Sequence, residues 1–199
     1  MMSLTKQAKT LNKTQIASVR SHLRSSRNGL RNDTIFLLSC RAGLRAKEIS
    51  QLRWIYVLDA NGSLSDTLDL PDIASKGRSG RMIPLHKDIK INLSEMLQIA
   101  SKRRGFDVND HIIRTERSSS TSPQVIVTFF HRLYQRMGFV GCSSHSGRRT
   151  FITDIARKIS SVGGSLRDVQ MLAGHSSLQV TQRYIEGSTE SKIRVVSML

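Results

Sequence analysis

The sequence predicts an α+β fold, mainly helical, with one small antiparallel sheet. Apolar residues recur at helical spacing along most of the 199 positions, while strand-like residues gather in two adjacent stretches beside turn signals. A hydrophobic fraction of 38% is enough for a packed core and too high for a disordered chain. The length suits one ordinary domain with small appendages.

In chain order, "NKTQIASVRSHLRSS" places Ile16, Val19 and Leu23 close to helical spacing and predicts a short amphipathic helix. "NDTIFLLSCRAGLRAKEISQL" predicts a buried helix, interrupted near Gly43, and then a second helical segment. "RWIYVLDANGSLSDTLDL" switches to strand-like residues around an Asn61-Gly62 turn signal. "SKGRSGRMIPL" adds a turn and a strand, with Pro84 favouring a sheet edge or strand end. Helical period returns in "DIKINLSEMLQIASKRRG", and the loop "SSSTSP" precedes a helix in "QVIVTFFHRLYQRMG". From about Ser143 the chain is helical pieces broken at Gly163-Gly164 and at Gly174.

Charge narrows the partner. Lys and Arg total 31 against 15 Asp and Glu, a formal net charge of +16 with a pI near 10.9. Lys6, Lys9, Lys13, Arg20, Arg24, Arg27 and Arg31 all precede the first acidic residue, Asp33. Such an excess points first to nucleic acid and only second to an anionic membrane surface, since no lipidation signal or long basic amphipathic helix accompanies it. It selects a partner and leaves the reaction open. No apolar run is long enough to span a bilayer, and "MMSLTKQAKTLNK" lacks the apolar segment of a secretory signal. Cys40 and Cys142 show neither a pairing nor a metal-ligand spacing, so reduced, structural thiols in a cytoplasmic protein are expected, without a metal or other cofactor.

Four short stretches carry candidate chemistry. In "HSGRRTF", His145 and Arg148 stand three apart, on one face if the segment is helical, and Ser143 or Ser144 can cap its start. A histidine and an arginine there can bind a phosphate and exchange protons, though the tetrad alone fits a solvated basic face better. "AGLRAKEIS" gives Arg45 and Glu48, again three apart: an ordinary helix ion pair, or a second guanidinium for a phosphate with Glu48 orienting it. Lys76 lies in the glycine-bearing turn "SKGRSGR", where it can reach a substrate from a hairpin tip or simply sit in water. Finally, "GHSSLQVTQRY" separates His175 from Tyr184 by nine positions, which on one straight helix leaves them on opposite faces. They can meet only if the helix breaks. Gly174 offers the stop, and Ser176 or Ser177 the next cap.

Taken together, "AGLRAKEIS", "SKGRSGRMIPL", "HSGRRTF" and "LRDVQMLAGHSSLQVTQRYI" resemble the signature of the tyrosine recombinases, or phage-type integrases. The resemblance runs from about residue 15 to 187 and implies their catalytic-domain fold. It leaves 1–14 as a basic N-terminal extension and 188–199 as a tail. No room remains before Arg45 for the separate helical domain with which many members clamp DNA. The family likeness implies Tyr184 as nucleophile, forming a 3′-phosphotyrosine on double-stranded DNA and releasing a 5′-hydroxyl. It implies Arg45 and Arg148 on the non-bridging oxygens, Lys76 protonating the departing oxygen, His145 in acid–base work and His175 bonding the phosphate, with Glu48 in support. Lys6, Lys9, Lys13, Arg78, Arg81 and Arg149 are the expected DNA contacts. No metal is implied, because fixed guanidinium charges fill that role.

Family members act as tetramers on two duplexes, so self-association on DNA is expected. The tail's Ile193, Val195, Val196, Met198 and Leu199 suit docking on a neighbour or packing on their own domain equally. Two departures stand out: Gly147 and Arg149 flank Arg148 where the family usually has leucine and histidine, and the stretch to His175 is longer, near "KISSVGGS". The rival readings are strand relaxation of the type IB topoisomerase kind, and a non-catalytic DNA-binding protein descended from a recombinase.

Overall fold

A computed structural model of the chain describes residues 7–74 and 80–184, together with Ile193, Val196 and Ser197. The chain packs as two compact units, Met1–Phe151 and Ile152–Leu199.

The first unit is built around one nearly engulfed helix. Helix α1 (Lys13–Arg24) opens on a capping box, with Asn12 Oδ1 accepting from Gln15 N (2.8 Å) and Gln15 Oε1 from Asn12 N (3.0 Å). It buries the expected Ile16, Val19 and Leu23. Helix α2 (Gly29–Arg41) buries every residue from Asp33 to Cys40, so the run "TIFLLSC" is core on all sides. Helix α3 (Ala46–Ser50) follows the break at Gly43, and helix α4 (Lys87–Ser101) and helix α5 (Pro123–Arg136) complete the layer. Helix α2 packs on α1 and α4, and α3 packs on α5.

A charge placed inside this core is fully answered. Asp33 is completely buried, and its carboxylate accepts from Arg20 Nε (3.1 Å), Arg24 Nε (2.9 Å) and Asn92 Nδ2 (3.0 Å). Arg20 also reaches Asp88 at 2.7 Å, so one network ties α1, α2 and α4 together. An isolated buried carboxylate would be too costly to keep ionised; two guanidinium groups and an amide make it tolerable.

The sheet is smaller than the strand-like residues suggest. Strand β1 (Thr67–Leu70) pairs antiparallel with strand β2 (Arg81–Pro84), in the register Leu68 to Ile83 and Leu70 to Arg81. Trp54–Tyr56 form a 3-10 turn instead of a strand, and around Asn61-Gly62 only the bridge Leu58–Leu64 forms. Trp54 anchors that turn by burial against Phe106 at 6.3 Å between ring centroids, edge to face, which outweighs the β preference of the local residues. Pro84 sits at a strand end, where its missing N–H costs no ladder bond.

The N-terminal stretch is stitched to this unit from Ala8 onward. Lys9 N donates to Gly141 O (3.0 Å), Leu11 N to Thr150 Oγ1 (2.8 Å), and Arg149 Nη1 to Ala8 O (3.0 Å). Leu11 is buried in the core.

Helix α6 (Ser146–Lys158) contains the boundary between the units, and a 3-10 turn at Ile159–Val162 extends it. The second unit holds helix α7 (Leu166–Ala173) and helix α8 (Leu178–Gln182), which pack on each other. Among the described residues no helix is long and apolar enough to cross a membrane.

Candidate functional site

The sequence-predicted residues fall into two groups, one in each unit. In the first unit the turn between α2 and α3 is the organising feature. Gly43 adopts φ +67, and a Cβ there would run into the Phe151 ring, with Cε1 at 2.9 Å. Only glycine satisfies both the left-handed backbone and the close approach. Leu44 N closes the turn on Leu38 O at 3.0 Å, and the chain then presents Arg45 at the start of α3.

Glu48 is completely buried beneath this turn. Its carboxylate accepts from Arg45 N (2.8 Å), Arg45 Nη1 (2.8 Å), Arg81 Nη1 (3.1 Å) and Arg81 Nη2 (3.1 Å). Burial alone would push its pKa up, but the Arg81 hydrogen bonds and charge, then those of Arg45, outweigh it and hold Glu48 below the ordinary value of 4.5. Arg45 keeps its side chain 24% exposed, so a guanidinium held by Glu48 still meets solvent.

Arg81, expected among the DNA contacts, directs its guanidinium at Glu48, with only 5% of its side chain exposed. The sheet explains this. On β2, Arg81 shares the inward face with buried Ile83, while Met82 and Pro84 point to solvent. That period of two was readable in the sequence; the partner, 33 positions away, was not.

Arg148 comes to the same turn from α6. It is 5% exposed and donates from Nη1 to Gly43 O at 2.6 Å, two residues before Arg45. Both arginines are thus anchored on one loop. His145 immediately precedes α6 and is exposed; its carbonyl accepts from Arg149 N (2.9 Å) and its amide reaches Ser143 Oγ (3.3 Å). Lys9 and Lys13 are exposed, and half-buried Arg149 holds Ala8. Lys6, Lys76, Arg78 and the tail residues Val195, Met198 and Leu199 lie outside the described residues, while Ile193 and Val196 are exposed.

In the second unit the helix does break where the sequence predicts. Gly174, at φ 59 and ψ 47, ends α7 in a Schellman motif: His175 N reaches Gln170 O (3.1 Å) and Gly174 N reaches Met171 O (3.0 Å). Ser177 takes the N-cap position of α8 without a side-chain cap bond. Tyr184 then returns, and its ring stacks on that of His175 at 5.5 Å between centroids and 26° between planes. Nine positions of sequence become one ring-to-ring contact. His175 Nδ1 lies 3.0 Å from Thr181 Oγ1.

A further basic feature was not anticipated. A pocket of about 710 Å³ lies among α1, α2 and α5, lined by His22, Arg27, Arg31, Arg132 and Arg136 with no acidic residue. Its signal in the sequence was the i, i+4 row Gln124, Thr128, Arg132, Arg136 along one face of α5.

Comparison with known proteins shows the family and the fold. The model of the Phage integrase family matches residues 9–191. A tyrosine recombinase XerC of Rickettsia canadensis is 27% identical over 166 residues, covering 83% of this chain and 50% of that protein. A Rickettsia massiliae XerC is 28% identical over 159 residues, 80% of this chain and 48% of that protein. The chain therefore spans about half the length of these relatives. Among solved structures, the XerA recombinase superposes with TM-score 0.70 at 18% identity over 95% of this chain and 62% of that one. The Tn1549 transposon integrase in complex with transposon right end DNA gives TM-score 0.74 at 16% identity, over 98% and 67% of the two chains. These likenesses show a common fold.

Proposed function

Since this chain belongs to the phage integrase family, we propose that it is a site-specific recombinase that breaks and rejoins double-stranded DNA through a tyrosine. The observation that carries the reading is the stacked His175–Tyr184 pair, together with two arginines fixed on one turn over a buried carboxylate. The core also pairs two arginines with buried Asp33, so it is the stacked histidine and tyrosine that set the candidate site apart.

In the proposed reaction the Tyr184 oxygen attacks the phosphorus of a DNA phosphodiester. A bond forms between that oxygen and phosphorus, and the bond to the 5′ oxygen breaks. The 5′ oxygen takes a proton from Lys76, and the phosphate stays linked to the enzyme at the 3′ end. Because the phosphodiester's energy is kept in the phosphotyrosine, the reverse attack by a 5′-hydroxyl rejoins the strand without ATP. Arg45 and Arg148 bind the non-bridging oxygens and offset the charge that grows as phosphorus becomes five-coordinate. Glu48 holds Arg45 as a preformed cation, so little reorganisation is spent at the moment of attack. His175 donates a hydrogen bond to the phosphate, and exposed His145 exchanges the tyrosine's proton.

The net charge of +16 and the cationic pocket beside α5 support a polyanionic substrate. A tetramer on two duplexes follows from exchanging strands between two sites. The test is a nicked duplex that traps the covalent intermediate. Tyr184→Phe removes only the attacking oxygen, so adduct formation is expected to vanish while DNA binding changes less than about twofold. A Tyr184→Phe enzyme that still forms the adduct overturns the proposal.

A further inference from the structure

Thr181 has no part in the chemistry just described, yet it is completely buried and its hydroxyl bonds to the His175 ring. We propose that Thr181 is a positioning residue that holds His175 with Nε2–H presented to the scissile phosphate. This rests on His175 being the phosphate-binding histidine of the proposed reaction.

A phosphate oxygen only accepts hydrogen bonds, so the imidazole must offer it an N–H. A neutral imidazole carries one N–H, and which nitrogen bears it is set by the partner of the other. With Thr181 Oγ1 3.0 Å from Nδ1, a hydroxyl that donates there leaves the proton on Nε2. Turning the ring over would put a carbon against the hydroxyl and leave a buried hydroxyl without its partner, so the same contact fixes the ring's orientation.

The main chain reinforces this. His175 is tied by its backbone to α7, through its amide to Gln170 O (3.1 Å) and its carbonyl to Gln170 Nε2 (3.0 Å). Its side chain is tied to α8 through Thr181. Thr181 in turn accepts from Tyr184 N at 3.0 Å, so one residue touches the histidine with its side chain and the nucleophile with its carbonyl. Two short helices separated by a break would otherwise leave the ring stack free to shear.

The experiment measures single-turnover cleavage of a nicked duplex at saturating DNA, using the full chain. Thr181→Val keeps the shape and removes the hydroxyl; the rate is expected to fall roughly tenfold, the size of one lost hydrogen bond, with DNA affinity unchanged. Thr181→Ser is expected to recover the rate to within about threefold. In a His175→Ala background, Thr181→Val is expected to have no further effect, because a residue acting through the histidine has nothing left to position. A merely structural threonine lowers the rate by the same factor in both backgrounds, and that result overturns the inference. So does a Thr181→Val enzyme that cleaves at the wild-type rate. Nitrogen-15 spectra of His175 in the unmutated protein give an answer even if the valine variant does not fold. Above the imidazole pKa a bare Nδ1 and a protonated Nε2 are expected, and a proton on Nδ1 refutes the proposal. If His175→Ala alone cleaves at full rate, the role of His175 in the parent reading fails, and this inference falls with it.

Discussion

Gly147 stands next to Arg148, where a larger side chain was expected, and its absence of a side chain has a structural cause. A Cβ at that position would meet Ser39 Cβ at 2.9 Å and Cys40 N at 3.2 Å, so α6 approaches α2 too closely for one. Read from the sequence alone, the glycine is a helix defect costing about 1 kcal/mol. In the structure it lets α6 close on α2 one residue before Arg148, whose guanidinium reaches Gly43 O. Gly147→Leu is accordingly expected to destabilise the protein by about 1–3 kcal/mol despite the better helix propensity, read from the shift in denaturant midpoint at constant m. An unchanged or raised midpoint would mean that α2 gives way easily. Glu48 supplies a second residue-scale test. Its pKa is depressed, so its contribution to stability is fully present above the ordinary value of 4.5 and is lost as pH falls towards the lower folded-state value. Glu48→Gln should therefore lower stability near neutrality and flatten the acid limb of the stability–pH curve. An acid limb identical to that of the unmutated chain contradicts the assigned shift.

Helices were the legible elements, because their signal is local. Asn12 with Gln15, Ser122 with Pro123, and Gly174 mark starts and stops within a few residues of one another. The strand-like run at Trp54 was not legible as a 3-10 turn, since what decides it is Phe106, far along the chain. The candidate site divides the same way. Arg45, Glu48, Arg148, His175 and Tyr184 were singled out by the resemblance of their four stretches to a family, since their spacing alone fits ordinary helix faces, whereas the contacts of Arg81 and Thr181 depend on partners that the sequence does not reveal. The N-terminal segment reads as a loose basic extension because lysines dominate it, yet Leu11 is core and three hydrogen bonds pin residues 8–11. Deleting residues 1–11 keeps the Asn12 cap of α1 but exposes the Leu11 site. It is expected to cost about 2 kcal/mol, from one buried leucine and its bond to Thr150. A truncated chain with the full chain's melting temperature would show that the segment is a passenger.

For the molecule as a whole, the charge of +16 sets how it would meet the proposed DNA substrate. Substituting Lys6, Lys9 and Lys13 with glutamine removes charge and leaves Leu11 in place, which truncation cannot do. If all three meet phosphates, the slope of log affinity against log salt falls by up to about three units, equally on specific and random duplexes. An unchanged slope leaves the N-terminal lysines idle on DNA, and a loss confined to one sequence assigns them base contacts.

The central claim is that a tyrosine, electrostatically supported by fixed arginines, breaks the DNA strand. The most direct measurement is mass-spectrometric identification of the residue joined to a nicked duplex after reaction in the presence of EDTA. The account predicts a linkage through Tyr184 to a 3′-phosphate, in a yield that chelation does not lower. A linkage through another residue, or cleavage that appears only when magnesium is restored, contradicts it.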